Sequence, residues 1–296
     1  KNMALNQIAD ALDSSGDRLL KANSDDLAVA RRVGFPDAFL TRLALTSEGI
    51  DYMAAGVRSI AKLPDPVGEE FDKRTLPNGI ELSKRRVPLG VIGSIFEARP
   101  EVPIDISALC IKSGNSVVLR GSKEAVNTNK ALGSLVQHAL SQTNVPPDVV
   151  QMIESPDRKV VAAMLKLNEY FDLIIPRGGA ELVKYVANEA TMPAITGGIG
   201  VCHTYIDYSA NVGDAIAIVI NAKVQAPAKC NALDTLLIHK DSAEIVLSNL
   251  APELERLNVE MRCDPAAYSI AKGKSETVKK ATTQDWGTEF LDLILA

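Results

Sequence analysis

From Pro88 to Ala190 the sequence alternates short apolar runs with longer stretches of helical periodicity. Val91–Phe96, Ser116–Arg120, Val149–Ile153 and Phe171–Ile175 read as buried strands. Between and after them, Val102–Ser113, Lys123–Leu140, Asp157–Leu167 and Gly179–Ala190 read as helices, with Gly114 standing where a helix-ending C′ glycine belongs. A run of βα units has few solutions. The strands lie parallel in one sheet and the helices cover both of its faces, which is an α/β fold. In such a sheet ligands bind outside the carboxyl ends of the strands. Aromatic residues make up only 4% of the chain, so Ala, Val, Ile and Leu must build most of the core.

The flanks read differently. Residues 1–61 carry Ile8, Leu12, Leu19 and Leu20 at helical spacing, broken at Gly34-Phe35-Pro36, and Pro64, Pro66 and Gly68 mark a linker. Asn78-Gly79, set among extended, partly alternating residues, predicts a two-residue type I′ hairpin turn. Such an arm either pairs with another subunit or is simply exposed.

Composition removes several classes of function. The 296 residues carry a net charge of −5, which argues against a duplex-binding surface. The dense basic spots, Arg31-Arg32 and Lys84-Arg85-Arg86, read as solvated faces. The four cysteines (Cys110, Cys202, Cys230 and Cys263) form no CxxC pair or zinc spacing, and the three histidines (His138, His203 and His239) show no metal spacing. No metal site is expected, and reduced thiols point to a cytoplasmic setting. The apolar stretch around Ala215–Ile220 is too short to span a bilayer.

Three local motifs carry chemistry. In the first, the strand Ser116–Arg120 runs into Gly121, Ser122, Lys123 and Glu124, placing a basic side chain at a strand's carboxyl end. It can reach ribose hydroxyls or a ribose phosphate, or it is an ordinary surface arginine. In the second, the strand at Phe171–Ile175 leads through Pro176 and Arg177 into Gly178, Gly179 and a helix. Glycines at a helix N-terminus let a phosphate approach free N–H groups, though a tight βα turn looks the same. In the third, Cys230 lies in Gln225–Asp234, a stretch rich in small residues, directly after Lys229. A neighbouring cation favours the thiolate, the nucleophilic form. Cys110 on its apolar helix face, Cys202 in the strand-like Val201–Ile206 and Cys263 read as core.

The order of these motifs resembles the aldehyde dehydrogenase superfamily. Two further segments, Ile95-Phe96-Glu97-Ala98-Arg99-Pro100 and Ile195-Thr196-Gly197-Gly198-Ile199-Gly200-Val201-Cys202-His203, resemble its gamma-glutamyl phosphate reductase branch. The resemblance implies a Rossmann-like nucleotide domain over residues 1–224, including the N-terminal helices and a β-hairpin oligomerisation arm near 74–88. It also implies a partial α/β catalytic domain over 225–296. Family members continue past Ala296, so the C-terminal part of the catalytic domain is expected to be missing from this chain. Cys230 takes the place of the catalytic thiol. Arg120, Ser122 and Lys123 take the cofactor ribose and its 2′-phosphate, which favours NADP(H). Gly178 and Gly179 match the pyrophosphate turn, and Glu289 matches the glutamate on the nicotinamide ribose. Glu97 and Arg99 are candidates for substrate binding, with an ion pair from Arg99 to Glu97 or Glu101 as the alternative.

The implied reaction is NADPH-dependent reduction of L-glutamyl 5-phosphate to L-glutamate 5-semialdehyde in proline biosynthesis, with a small-molecule substrate, homo-oligomers and an association with glutamate 5-kinase. Thr196 stands nearest to where hydrolytic relatives carry a glutamate base, which fits an enzyme that has no use for an activated water. The superfamily's oxyanion-hole asparagine falls at Glu97-Ala98, so the Cys230 N–H and another donor are expected to serve. Two alternatives remain open: a CoA-acylating or other non-hydrolytic aldehyde dehydrogenase, and a non-catalytic nucleotide-binding fragment.

Overall fold

The computed structural model describes residues 1–197 and 200–296, apart from the side chain of Ala38. The chain divides into two compact units, residues 1–197 and 198–296.

The first unit opens with four helices: α1 (Asn2–Ser14), α2 (Gly16–Val33), α3 (Asp37–Leu43) and α4 (Ser47–Lys62). An antiparallel ribbon follows, β1 (Glu70–Thr75) with β2 (Glu81–Arg85). Then come β3 (Val91–Phe96), α5 (Val102–Ser113), β4 (Ser116–Arg120), α6 (Val126–Ser141), β5 (Val150–Met152), α7 (Arg158–Met164), β6 (Leu173–Arg177) and α8 (Ala180–Glu189). The strands form a parallel sheet in the order β5-β4-β3-β6. The chain steps outward from β3 through β4 to β5 and returns to add β6 on the other side. A crevice therefore opens where the winding reverses, between the carboxyl ends of β3 and β6.

Side-chain alternation explains why both faces need covering. Ile92 and Phe96 of β3 join Val117 and Leu119 of β4 in a core with α1, α4, α5 and α6. Ile95, on the opposite face, packs with Val161, Met164, Leu165 and Val186 from α7 and α8 and the turn after α7. Near-continuous apolar strands are the signature of a parallel sheet buried on both sides.

The hairpin differs from its expected form. Its turn runs through Leu76-Pro77-Asn78-Gly79, closed by the Gly79 N–H on the Leu76 carbonyl at 2.9 Å. Gly79 has φ +83° while Asn78 stays at negative φ. A type I′ turn needs positive φ at both Asn78 and Gly79, but Pro77 supplies the fixed negative φ that favours the first central position of a type I turn. The loop is thus longer than two residues and the ribbon spans 70–85. Several other expected bounds also move: α6 starts at Val126, after a 3₁₀ turn over Lys123–Ala125, and β6 runs two residues later than read, through Pro176 to Arg177.

The second unit contains β7 (Cys202–Ile206), α9 (Val212–Val224), β8 (Leu233–Ile238), α10 (Ala243–Arg256), β9 (Glu260–Cys263), α11 (Pro265–Ala271), β10 (Val278–Lys280) and β11 (Ile294–Leu295). β7 pairs parallel with β8, and β9 lies between β10 and β11. Backbone bonds from Leu236 N to Ala296 O and from Ala296 N to Asp234 O tie the two sheets together. Ile206 of β7 and Val219 of α9 pack with Leu233, Val246, Leu250 and Met261. Residues 200–224, which the sequence reading assigned to the nucleotide domain, thus share the core of the second unit.

Candidate active site

A cavity of about 720 Å³ lies at the carboxyl ends of the first unit's strands. Its walls include Ile95, Phe96, Glu97 and Ala98 after β3, Arg120, Ser122, Lys123 and Glu124 after β4, Pro156 and Arg158 after β5, and Glu181, Leu182 and Tyr185 from α8. The three expected cofactor residues of the Arg120 motif therefore meet at the place that the sheet's winding reserves for a ligand.

Arg120 ends β4 and is only 7% exposed. One guanidinium nitrogen donates to the Pro156 carbonyl at 2.8 Å, while its Nε and the neighbouring Ser122 Oγ are buried without a partner. Burial lowers the Arg120 pKa, with the nearby Arg158 acting in the same direction and Glu124 and Asp157 opposing it. Unsatisfied donors at a cavity wall fit a polar ligand, since a buried unpaired donor is otherwise costly. Arg42 and Arg158 add two further cations to the lining. Neither carried a motif in the sequence. Arg158 is an isolated arginine at the first position of α7, whose N-terminus is capped by Asp157.

Gly178 and Gly179 lead into α8 from the end of β6. The Gly179 N–H donates to a carboxylate oxygen of Glu97 at 2.9 Å, so Glu97 occupies the N-terminus of α8. A Cβ at Gly178 would fall 2.6 Å from the Glu97 carboxyl carbon and 2.8 Å from a Leu182 methyl, and glycine is what permits this approach. Arg99 is partly buried and, among the described residues, makes no ion pair with Glu97 or Glu101. The alternative of a structural pair is therefore not formed among the described residues. In the segment that suggested the branch, Thr196 is exposed, and Gly198 and Ile199 lie outside the described residues.

In the second unit Cys230 sits in a turn between α9 and β8 and is partly exposed. Among the described residues its backbone N–H donates to no other group, and its carbonyl accepts from the Cys202 thiol at 3.5 Å. Burial raises the Cys202 pKa, and the charges of Asp234, Cys230 and Glu289 raise it further. The Cys230 turn thus lies against Cys202 of β7. Burial also pushes Cys110 to about 12 and Cys263 to about 11, which disfavours their thiolates. Among the described residues no cluster of His, Cys, Asp or Glu could hold a metal ion, and no helix is long and apolar enough to cross a membrane.

A doubly wound sheet with a cavity at its switch point is the arrangement by which α/β proteins bind nucleotides. The model of the aldehyde dehydrogenase family matches residues 4–284. A protein of Photobacterium profundum named gamma-glutamyl phosphate reductase is 48% identical, over 100% of this chain and 71% of its own length. One of the same name from Roseiflexus castenholzii is 47% identical with the same coverage. The crystal structure of gamma-glutamyl phosphate reductase from Thermotoga maritima superposes with a TM-score of 0.89 at 40% identity, covering 100% of this chain and 70% of that one. The chain belongs to the aldehyde dehydrogenase family, on its gamma-glutamyl phosphate reductase branch.

Proposed function

We propose that the chain carries the site for NADPH-dependent reduction of L-glutamyl 5-phosphate to L-glutamate 5-semialdehyde with release of phosphate, a step of proline biosynthesis. What carries the reading is whole-chain similarity to proteins of that name, with a partly exposed thiol whose backbone N–H donates to no group among the described residues.

Cys230 attacks the acyl carbon as the thiolate, and the phosphate leaves, forming a thioester. The Cys230 N–H stabilises the oxygen charge that develops. A nicotinamide cofactor, once bound, would supply the hydride that takes the thioester to the aldehyde level. Cys230 is freed when the resulting thiohemiacetal collapses. In the first unit Ser122 and Arg120 face the cofactor's ribose, and Lys123 and Arg158 add charge for a 2′-phosphate, which favours NADPH over NADH. Gly178 and Gly179 admit the pyrophosphate to the N-terminus of α8. Glu289 holds the nicotinamide ribose, and Arg99 serves the substrate's anionic groups. Residues 1–197 then act as the nucleotide domain and 198–296 as the catalytic part.

The exposed ribbon β1–β2 supports assembly of several copies. Association with glutamate 5-kinase and a cytoplasmic setting accompany the biosynthetic role.

The test is turnover and cofactor affinity in wild-type protein and in Cys230→Ala. Loss of reduction with NADPH affinity kept within about twofold is expected, the cofactor and thiol motifs being separate. Retained turnover, or acylation of another cysteine by substrate, overturns the assignment. CoA-dependent rather than phosphate-dependent oxidation of the semialdehyde selects the acylating alternative.

A further inference from the structure

Lys223 on α9 is fully buried, at 0% exposure. Its ammonium donates to the Leu233 carbonyl at 2.8 Å and lies 3.9 Å from a carboxylate oxygen of Asp234, itself 2% exposed. Burial pushes the Lys223 pKa down, against the charges of Asp234 and Asp292. Two desolvated charges are costly, and a buried pair is often no more stabilising than well-packed apolar side chains. Its position says more than its energy. Lys223 precedes the 225–232 loop that carries Cys230, and Leu233 and Asp234 open β8 directly after it. The same Asp234 oxygen accepts the Phe290 N–H at 3.1 Å, next to Glu289, and the Asp234 carbonyl accepts from Ala296 N at 2.9 Å.

We infer that Lys223 and Asp234 are positioning residues for the thiol, a buried pair that clasps both ends of the Cys230 loop and fixes it against the segment bearing Glu289. This rests on the reading of Cys230 as the nucleophile. A purely structural pair would support the fold and leave the thiol's behaviour in the folded protein unchanged. A positioning pair sets where Cys230 points and which charges face it, and small displacements at a reacting centre change rates by large factors.

The readout is the alkylation rate of Cys230 by iodoacetamide in the 296-residue chain, followed peptide by peptide by mass spectrometry, with Cys110 and Cys263 as buried internal controls. It needs neither substrate nor cofactor. A wild-type Cys230 that resists alkylation overturns the nucleophile reading and this inference with it; a reactive one isolates the pair. In Lys223→Met/Asp234→Leu both charges go at similar volume, leaving no orphaned ion. The expected result is a Cys230 rate altered roughly tenfold or more while Cys110 and Cys263 stay protected. A rate within twofold of wild type, with the controls protected, overturns the proposal. Should the controls become labelled, the double variant is loosened and Asp234→Asn decides. It keeps an acceptor oxygen for the Phe290 N–H but removes the charge facing Lys223. A Cys230 rate altered several-fold supports the clasp, and an unchanged rate overturns it.

Discussion

The Glu97 carboxylate accepts a hydrogen bond from the Gly179 amide at 2.9 Å, at the mouth of α8. A second carboxylate in the same unit does a similar thing in a different way. Asp26 caps α6 by accepting from Asn127 N, Thr128 N, the Asn127 amide and the Thr128 hydroxyl, and it is 3% exposed. The Asp26 cap is locked into the core. Glu97 is exposed and held by one bond from a backbone amide, so an incoming phosphate can exchange with it. Glu97→Gln removes a charge that competes with a cofactor's pyrophosphate for the helix end. NADPH should bind roughly 2–5-fold more tightly at low salt, the worth of about 0.3–1 kcal/mol for one charge at a helix terminus. Titration calorimetry at two ionic strengths checks it, and weaker binding by Glu97→Gln would show that the carboxylate contacts the cofactor favourably.

Arg120 and Arg158 should separate in their effects. Arg120 holds the Pro156 carbonyl and is mostly buried, so Arg120→Ala disturbs the cavity wall for either cofactor as well as losing a phosphate contact. Arg158→Ala removes charge with less structural cost. It should weaken NADPH by roughly tenfold or more, as expected for a charge-assisted bond of about 1.5–3 kcal/mol, and leave NADH nearly unchanged. Parallel fluorescence titrations with both cofactors measure the ratio. Equal losses for both would remove Arg158 from the 2′-phosphate.

Thr196 supplies no carboxylate where a water-activating base would stand. General-base assistance is worth about 10²–10⁴-fold, so a thioester formed on Cys230 should resist hydrolysis. Oxidation of the semialdehyde with NADP⁺ should therefore require phosphate. The check is NADPH formation with and without phosphate, and rapid phosphate-free production of glutamate would reveal another base.

Stability in the second unit should depend on pH through Asp285. Its carboxylate accepts from Thr282 N and Oγ1 and pairs with Arg262, and these hydrogen bonds hold its pKa below the usual aspartate range. A depressed folded-state pKa contributes stability that is present above the unfolded value and lost as pH falls through the folded one. Asp285→Asn should destabilise the protein by about 1–3 kcal/mol at pH 7. The gap from wild type should close as the pH drops below about 4, the ordinary aspartate range. Thermal melts across that range give the answer, and a gap independent of pH would mean that packing rather than charge is at stake.

The βα run is legible because its strands are buried on both faces and its helices end on recognisable residues, and the thiol loop because Cys230 follows Lys229 in a stretch of small residues with Pro227. Contacts closed across long sequence distances were not legible. Glu97 and Gly179 are 82 residues apart, and Asp26 and Thr128 are 102. No local spacing announces such pairs. Arg158 carries no local signal, and only the return of the chain after β5 brings it beside Arg120. Lys223 carries no local signal either, because its partner Asp234 belongs to another element. The hairpin turn was misjudged for a local reason: Pro77 commits the chain to negative φ before the Asn-Gly pair is reached.

The ribbon β1–β2 has a consequence of its own. All of its strand residues are exposed, and its cross-strand or local ion pairs, Lys84 with Asp72 and Lys73 with Glu70, face water, where such pairs contribute little. A two-stranded hairpin is at best marginal when alone. Its amides therefore run on a faster exchange clock than those of β3 and β4, opening and closing while the doubly wound core stays shut. In deuterium the molecule should show two tempos, and any surface that lies along the ribbon would bring the faster one into step with the slower.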